Sequence, residues 1–230
     1  MNPDQNASPR DAATLIVLRD TPDGPRVLMG RRDASAAFMP SKYVFPGGRV
    51  DGLDRSIALA RPLSSQTRAQ LLQDAPDTSP EALAICAVRE LWEETGLILG
   101  QPGAWPDPPA EWRAFADQGL VPAAHMLRLV CRAVTPREHS RRFDARFFLA
   151  PAEALHNDPD HLCPPDKELT DLQWVPLAQA RRLNVPFITT IVLAEVSKII
   201  AEKGAANPDG VPFFDNRSPQ PVFTRLTGDL

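Results

Sequence analysis

The sequence predicts an α/β fold in which helices pack on a mixed sheet, and three observations predict it. Apolar, β-branched runs occur early, at residues 13–19 (ATLIVLR) and 26–31 (RVLMGR), with the turn TPDGP at 21–25 between them. A long helix follows at residues 80–96, bracketed by Ser79-Pro80 and Gly96, a favoured cap, first-turn residue and terminator. Strand patterns then return at 125–134 (HMLRLVCRAV), 142–150 (RFDARFFLA) and 172–175, before helices at 177–183 and 187–202. Alternation of this kind buries each helix against a sheet.

Taken in order, residues 1–11 are expected to form a mobile leader. The runs at 13–19 and 26–31 are expected to pair as a hairpin leading to Tyr43-Val44-Phe45-Pro46-Gly47-Gly48-Arg49. Residues 33–42 connect them, with Phe38 and Met39 read as packing residues or as a lip on a binding site. A helical stretch at 65–73 lies between Pro62 and Pro76. Residues 101–109 are proline-rich and irregular, and 111–117 form a short helix. In the strand at 142–150, Phe143, Ala145, Phe147 and Leu149 share one face. The loop 135–141 (TPREHSR) is polar and largely basic, a solvated turn or a contact for an anionic substrate. Residues 204–230 are read as a proline-rich tail.

The helix at 80–96 carries the chemistry. Glu90, Glu93 and Glu94 fall at i, i+3 and i+4 and share a face, while Ala84, Ile85, Val88, Leu91, Trp92 and Thr95 gather opposite. Two like charges roughly 6 Å apart at an effective dielectric near 20 repel by about 3 kcal/mol, so a half-sheltered trio demands a cation or a proton. Mg²⁺ or Mn²⁺ suits it, since these ions take hard oxygen ligands and complete their shells with water and substrate phosphates. Upstream, the double glycine Gly47-Gly48 permits close backbone approach to a ligand, and Arg31 and Arg32 stand near enough in sequence to pair with phosphates.

Together FPGG and RELWEETGL resemble the Nudix box, G-x5-E-x7-R-E-U-x-E-E-x-G-U with U aliphatic, and the chain is similar to the Nudix hydrolase superfamily over residues 12–203. The second half matches at every fixed position. The first half is split by an insertion of roughly residues 55–79, read as a small cap beside the site. Five residues separate Gly48 from Asp54, and seven separate Glu81 from Arg89; each satisfies half of the rule, and both stay open for the first acidic position. The resemblance implies the Nudix α/β/α sandwich. It also implies Mg²⁺-dependent (or Mn²⁺-dependent) hydrolysis of a nucleoside diphosphate linked to another moiety.

In that reading Glu90, Glu93 and Glu94 are metal ligands, Arg89 orients them, and Gly47, Gly48, Arg49, Arg31 and Arg32 contact substrate. Glu168, or one of the helix glutamates, is the base; Glu168 resembles a loop glutamate that precedes a strand of the WVPL kind in the family. Leu28, Met29, Arg32 and the segments around FPGG and RRFDARFFLA look like the branch with peroxisomal-type acyl-CoA diphosphatases and bacterial relatives. The further arginine and glycine of its CoA signature have no counterpart among Ala36, Ala37 and Ser41. A non-catalytic nucleotide sensor is the alternative class, disfavoured because a sensor needs no intact metal cluster.

Composition narrows partners. A net charge of −4 and a pI near 5.6 provide no basic field for nucleic acid, so a small nucleotide-derived substrate is expected. Cys86, Cys131 and Cys163 lack CxxC spacing, and His125, His139, His156 and His161 lack mutual ligand spacing, which argues against zinc and against a disulfide framework. With neither a signal-peptide pattern nor a bilayer-length apolar run, and no SKL-type ending, a cytoplasmic protein that does not enter membranes is expected. The oligomeric state is left open, a homodimer being one option.

Overall fold

In the strand TLIVL, odd and even residues are both apolar, which suits a strand covered on both faces. The computed structural model, which describes residues 8–36, 38–202 and 210–229, places it at the centre of a mixed sheet. Strand β1 (Arg10–Arg19) pairs in parallel with a strand from the second half of the chain, and Ala13, Leu15 and Val17 face one core while Ile16 faces another. After β1 come β2 (Arg26–Arg32), β3 (Tyr43–Val44), β4 (Gly47–Arg49), a 3₁₀ turn at Leu53–Arg55, α1 (Ser65–Leu72) and α2 (Pro80–Thr95). The chain continues through β5 (Gly100–Pro102), α3 (Arg113–Ala116), β6 (Leu120–Pro122), β7 (Arg128–Val134), β8 (Phe143–Pro151) and β9 (Leu169–Pro176). It closes with α4 (Leu177–Ala180), α5 (Phe187–Ala201), β10 (Val211–Asp215) and β11 (Val222–Leu226).

The sheet runs β11-β10-β7-β8-β1-β2-β3, with β4 also paired to β1 and β9 to β2. The pairs β1–β8 and β7–β10 are parallel and the others antiparallel. Helix α2 covers one face through Ala84, Ile85, Val88 and Leu91; α5 covers the other through Val192, Leu193, Val196 and Ile199. This is the expected α/β/α sandwich. Of the expected face of β8, Ala145, Phe147 and Leu149 pack toward α5, whereas Phe143 lies outside that cluster and meets the Phe38 ring.

Helix α2 begins and ends as its local sequence dictates. The Ser79 hydroxyl accepts from the Ala82 N–H at 3.2 Å, Pro80 opens the first turn, and Gly96 closes it with φ of 76°, a conformation costly for other residues. Apart from Glu81 its first half is buried, and the insertion adds Ile57, Leu63 and Leu71 to the same core.

Five expectations are corrected. The leader ends sooner, since Arg10 and Asp11 are already in β1; their charge hid them, but the Arg10 N–H bonds the Arg142 carbonyl at 3.0 Å and Asp11 meets the buried Arg146. The expected hairpin exists only at Leu18–Val27 and Arg19–Arg26, because most of β1 lies between β8 and β4. The strand expected from residue 125 starts at Arg128, because residues 124–127 form a turn. The stretch 101–109 contributes to a two-stranded sheet of β5 and β6. Finally, part of the expected tail is structural: β10 and β11 extend the main sheet and bury Val211, Phe213 and Leu226, despite prolines at 212, 219 and 221 that mask the strand pattern. Residues 1–7 of the expected leader, and 204–209 and 230 of the expected tail, lie outside the described residues.

The insertion is likewise not a cap beside the site. Its helix α1 packs on β7 and on the start of α2, and Arg68 pairs with Glu81 there. Its end is held by the C-terminal strands and by β7: the Gly228 N–H donates to Gln73 Oε1 at 3.0 Å, and Arg132 and Arg217 donate to the carbonyls of Gln73 and Asp74.

Beneath it lies a buried ion network. Arg132 pairs with Asp144 through two bonds of 2.9 and 2.7 Å, and Arg146 lies 2.6 Å from Asp11 and 3.2 Å from Asp144, while its other nitrogen reaches Thr78. Both guanidinium groups are almost wholly buried and Asp144 serves both, so removing it leaves charge without compensation. Asp144→Ala is expected to cost about 3–5 kcal/mol, lowering Tm by roughly 10 °C or more for a chain of this size. Differential scanning calorimetry checks this, and a loss under 1 °C would refute the network's role.

Candidate active site

Four elements meet at the C-terminal half of α2. Strand β4 brings Gly47 and Gly48 against the helix, the turn after it brings Asp54, the end of β2 brings Arg32, and the loop before β9 brings Asp166 and Glu168. The glycines are needed for close approach. A Cβ on Gly48 would lie 2.3 Å from Glu90 Oε1, and one on Gly47 would lie 2.6 Å from the Ala13 carbonyl oxygen. The Gly47 N–H donates to Glu94 Oε2 at 2.8 Å, so that amide holds a helix carboxylate.

Arg89 organises the acids. Its Nε and Nη2 donate to the two oxygens of Asp54 at 2.9 and 3.1 Å, and its Nη1 donates to Glu90 Oε1 at 2.7 Å and Glu93 Oε2 at 2.9 Å. Nη2 also reaches the Arg49 carbonyl at 3.1 Å. Asp54 is 1% exposed and accepts in addition from the Asp51 N–H. The two candidates for the first acidic position therefore separate. Asp54 meets Arg89, whereas Glu81 sits twelve residues before Glu93, about 18 Å along the helix, exposed and paired with Arg68.

The other expected residues divide in the same way. Arg32 points inward, with Nη2 3.9 Å from Glu168 Oε2, Nε buried without a partner, and a charge that acts on Glu94. Arg31 does not join it; it is exposed, and its charge acts on Tyr43 and Asp33, as adjacent strand residues point apart. Arg49 contributes its carbonyl, while its exposed side chain lies 3.8 Å from Asp51. Glu168 is exposed yet close enough for its charge to act on Glu90 and Glu94. Asp166 was missed by sequence reasoning: its N–H bonds the Glu93 carbonyl at 3.1 Å, and its charge acts on Glu93.

Burial and mutual repulsion leave these acids reluctant to ionise. Glu90 is pushed up to about 7, first by desolvation, against the pull of Arg89 and with the push of Glu93 and Glu168. Glu93 is raised by burial against the pull of Arg89, and Glu94 is raised well above the usual range by burial and by Glu90. Among the described residues no three acidic, histidine or cysteine side chains already form a metal cage. The donor chemistry nonetheless fits a hard divalent cation. Glu94 Oε1 is buried with no partner, and Glu90 and Glu93 engage Arg89 through one oxygen apiece.

An α/β/α sandwich with an acid-bearing helix set against a double-glycine strand is the Nudix architecture. A family model for the NUDIX domain matches residues 9–194, and the chain belongs to the Nudix hydrolase superfamily. Among its relatives, the human acyl-coenzyme A diphosphatase NUDT19 is 29% identical over 204 residues, covering 66% of this chain and 53% of the human protein. The chicken (Gallus gallus) protein of the same name is 26% identical over 230 residues, covering 72% of this chain and 60% of that one. The chain thus spans little more than half the length of these curated relatives. A solved NUDIX hydrolase from Alicyclobacillus acidocaldarius is 30% identical with a TM-score of 0.62, covering 82% of this chain and 91% of that one.

The raised Glu90 gives a sign-specific prediction for metal-free protein. A carboxyl with a folded value of about 7 against 4.5 is protonated in the folded chain and ionised in the unfolded one between those pH values, so its contribution is full below 4.5 and lost as pH rises through 7. In EDTA, Glu90→Gln should therefore gain stability over the parent across that window, by on the order of 3 kcal/mol at pH 8. Urea titrations at several pH values check it; a difference that stays flat would sink the assignment.

Proposed function

We propose that this protein hydrolyses the pyrophosphate link of a nucleoside diphosphate joined to another moiety, with CoA or acyl-CoA as its substrate and Mg²⁺ or Mn²⁺ as its cofactor. The observation that carries the reading is the gathering of Glu90, Glu93 and Glu94 with Arg32 and Glu168 at one end of α2, organised by Arg89. The names of the human and chicken relatives support the substrate class.

Glu90, Glu93 and Glu94 would hold the ion, which when bound neutralises phosphate oxygens and acidifies water. Arg89 keeps Glu90 and Glu93 in place and does no chemistry itself. Arg32 offers a buried, unpartnered Nε–H, a donor suited to a phosphate oxygen. Glu168 takes the proton from the water whose oxygen attacks phosphorus, as the P–O bond to the bridging oxygen breaks and the electron pair leaves with that oxygen. Being exposed, Glu168 returns the proton to solvent. Gly47 and Gly48 let strand and helix close on each other. Cys86, Cys131 and Cys163 are free, which supports a reducing, cytoplasmic setting. Among the described residues no helix is long and apolar enough to cross a membrane.

The test is phosphate-product release from CoA, acyl-CoA, NADH, ADP-ribose and nucleoside triphosphates, with and without Mg²⁺. Cleavage of CoA or acyl-CoA that EDTA abolishes is expected; metal-independent turnover, or none on any substrate, would overturn the proposal. Glu93→Gln is expected to lower kcat by about a thousandfold, some 4 kcal/mol, with Tm unchanged or raised because the change relieves repulsion. Full Mg²⁺-dependent turnover in that variant would remove Glu93 from the site. Gly48→Ala should fold, since a flexible carboxylate can yield, yet lose turnover as Glu90 is displaced; kcat measured beside a melting curve separates the two effects.

A further inference from the structure

We infer that Asp166 is a positioning residue that sets Glu168 against the box helix. The inference rests on the reading of Glu168 as the base, and on geometry that no motif indicated. The Asp166 N–H donates to the Glu93 carbonyl at 3.1 Å, one of the last-turn carbonyls of α2 that lack a helical partner. The Asp166 carboxylate Oδ1 accepts from the Glu168 N–H, also at 3.1 Å. One residue thus ties the backbone of a carboxylate-bearing helix turn to the backbone of Glu168.

That tie matters because little else fixes Glu168. Its side chain is 63% exposed, and its ion pair with Arg32 among the described residues spans 3.9 Å. Where its carboxylate points is therefore set mainly by its main chain. The loop is pinned on both sides: the Cys163 N–H bonds the Thr95 carbonyl at 3.2 Å, the Cys163 carbonyl packs where any Cβ on Gly96 would sit, and Leu169 pairs with Arg32 in the sheet. Between these pins, Asp166 reaches the main-chain N–H of Glu168 directly. The contact is made by an acceptor oxygen that an amide also has, so the positioning does not need the charge of Asp166.

The experiment follows from that distinction. Asp166→Ala removes the acceptor, and Asp166→Asn keeps it without the charge. Asp166→Ala is expected to lower kcat about 10- to 100-fold with KM within about twofold, and Asp166→Asn to recover most of the rate. If Asp166 acts through Glu168, Asp166→Ala adds no further loss on a Glu168→Gln background. Parental kcat in Asp166→Ala, an equal loss in Asp166→Asn, or additive losses in the double variant would each overturn the proposal. Parental kcat in Glu168→Gln alone would overturn the base reading and this inference with it, and is told apart by that single variant. Circular dichroism and melting curves run on every variant; should Asp166→Ala not fold, Asp166→Gly, which also lacks the acceptor, takes its place.

Discussion

A single guanidinium group holds the site together. Arg89 binds Asp54, Glu90, Glu93 and the Arg49 carbonyl at once, so one side chain fixes the strand-to-turn segment and the helix face relative to each other. Arginine is suited to this because its planar fork offers five donors and keeps its charge; against the cost of burial, Asp54 and Glu90 hold its proton more tightly still. A lysine would present one point charge and would satisfy fewer of these acceptors. The acids in turn depend on Arg89, since burial alone would push Glu90 and Glu93 higher still.

Even so, the protein does not neutralise its own site. Among the described residues Asp54, Glu90, Glu93, Glu94, Asp166 and Glu168 gather around Arg89 and Arg32, and burial with mutual repulsion raises Glu90, Glu93 and Glu94. Such an excess of hard oxygen donors, three of them on one helix face, is the donor chemistry that the proposed divalent cation would use. Stability of the isolated chain and affinity for a ligand are then opposed, as is usual where like charges are brought together for function.

What could be read from the sequence was what local chemistry decides. Ser79, Pro80 and Gly96 act within a few residues of themselves, so the limits of α2 and the shared face of Glu90, Glu93 and Glu94 follow from spacing alone. Choosing between Asp54 and Glu81 needed to know which one Arg89 reaches in space, and spacing satisfied both. Arg31 and Arg32 looked equivalent until strand alternation sent them apart. Asp166 left no signal because it works through its own backbone N–H and that of Glu168. Asp11 and the strands β10 and β11 were hidden because their partners, Arg146 and Arg132 among them, are far away in sequence and make buried positions of residues that look like loop.

The split box shows why an insertion is tolerated at this point in the chain. Lengthening a closed loop costs free energy only slowly, so the extra residues matter little if both ends are already fixed. Asp54, bonded to Arg89, fixes one end, and the Ser79 cap fixes the other. Between them Ile57, Leu63 and Leu71 join the core that covers α2, and α1 packs against β7, so the segment recovers stability by burial. Its helix therefore acts from the far end of α2. By covering most of the first half of the helix, it supports the element whose last two turns must hold mutually repelling carboxylates in place.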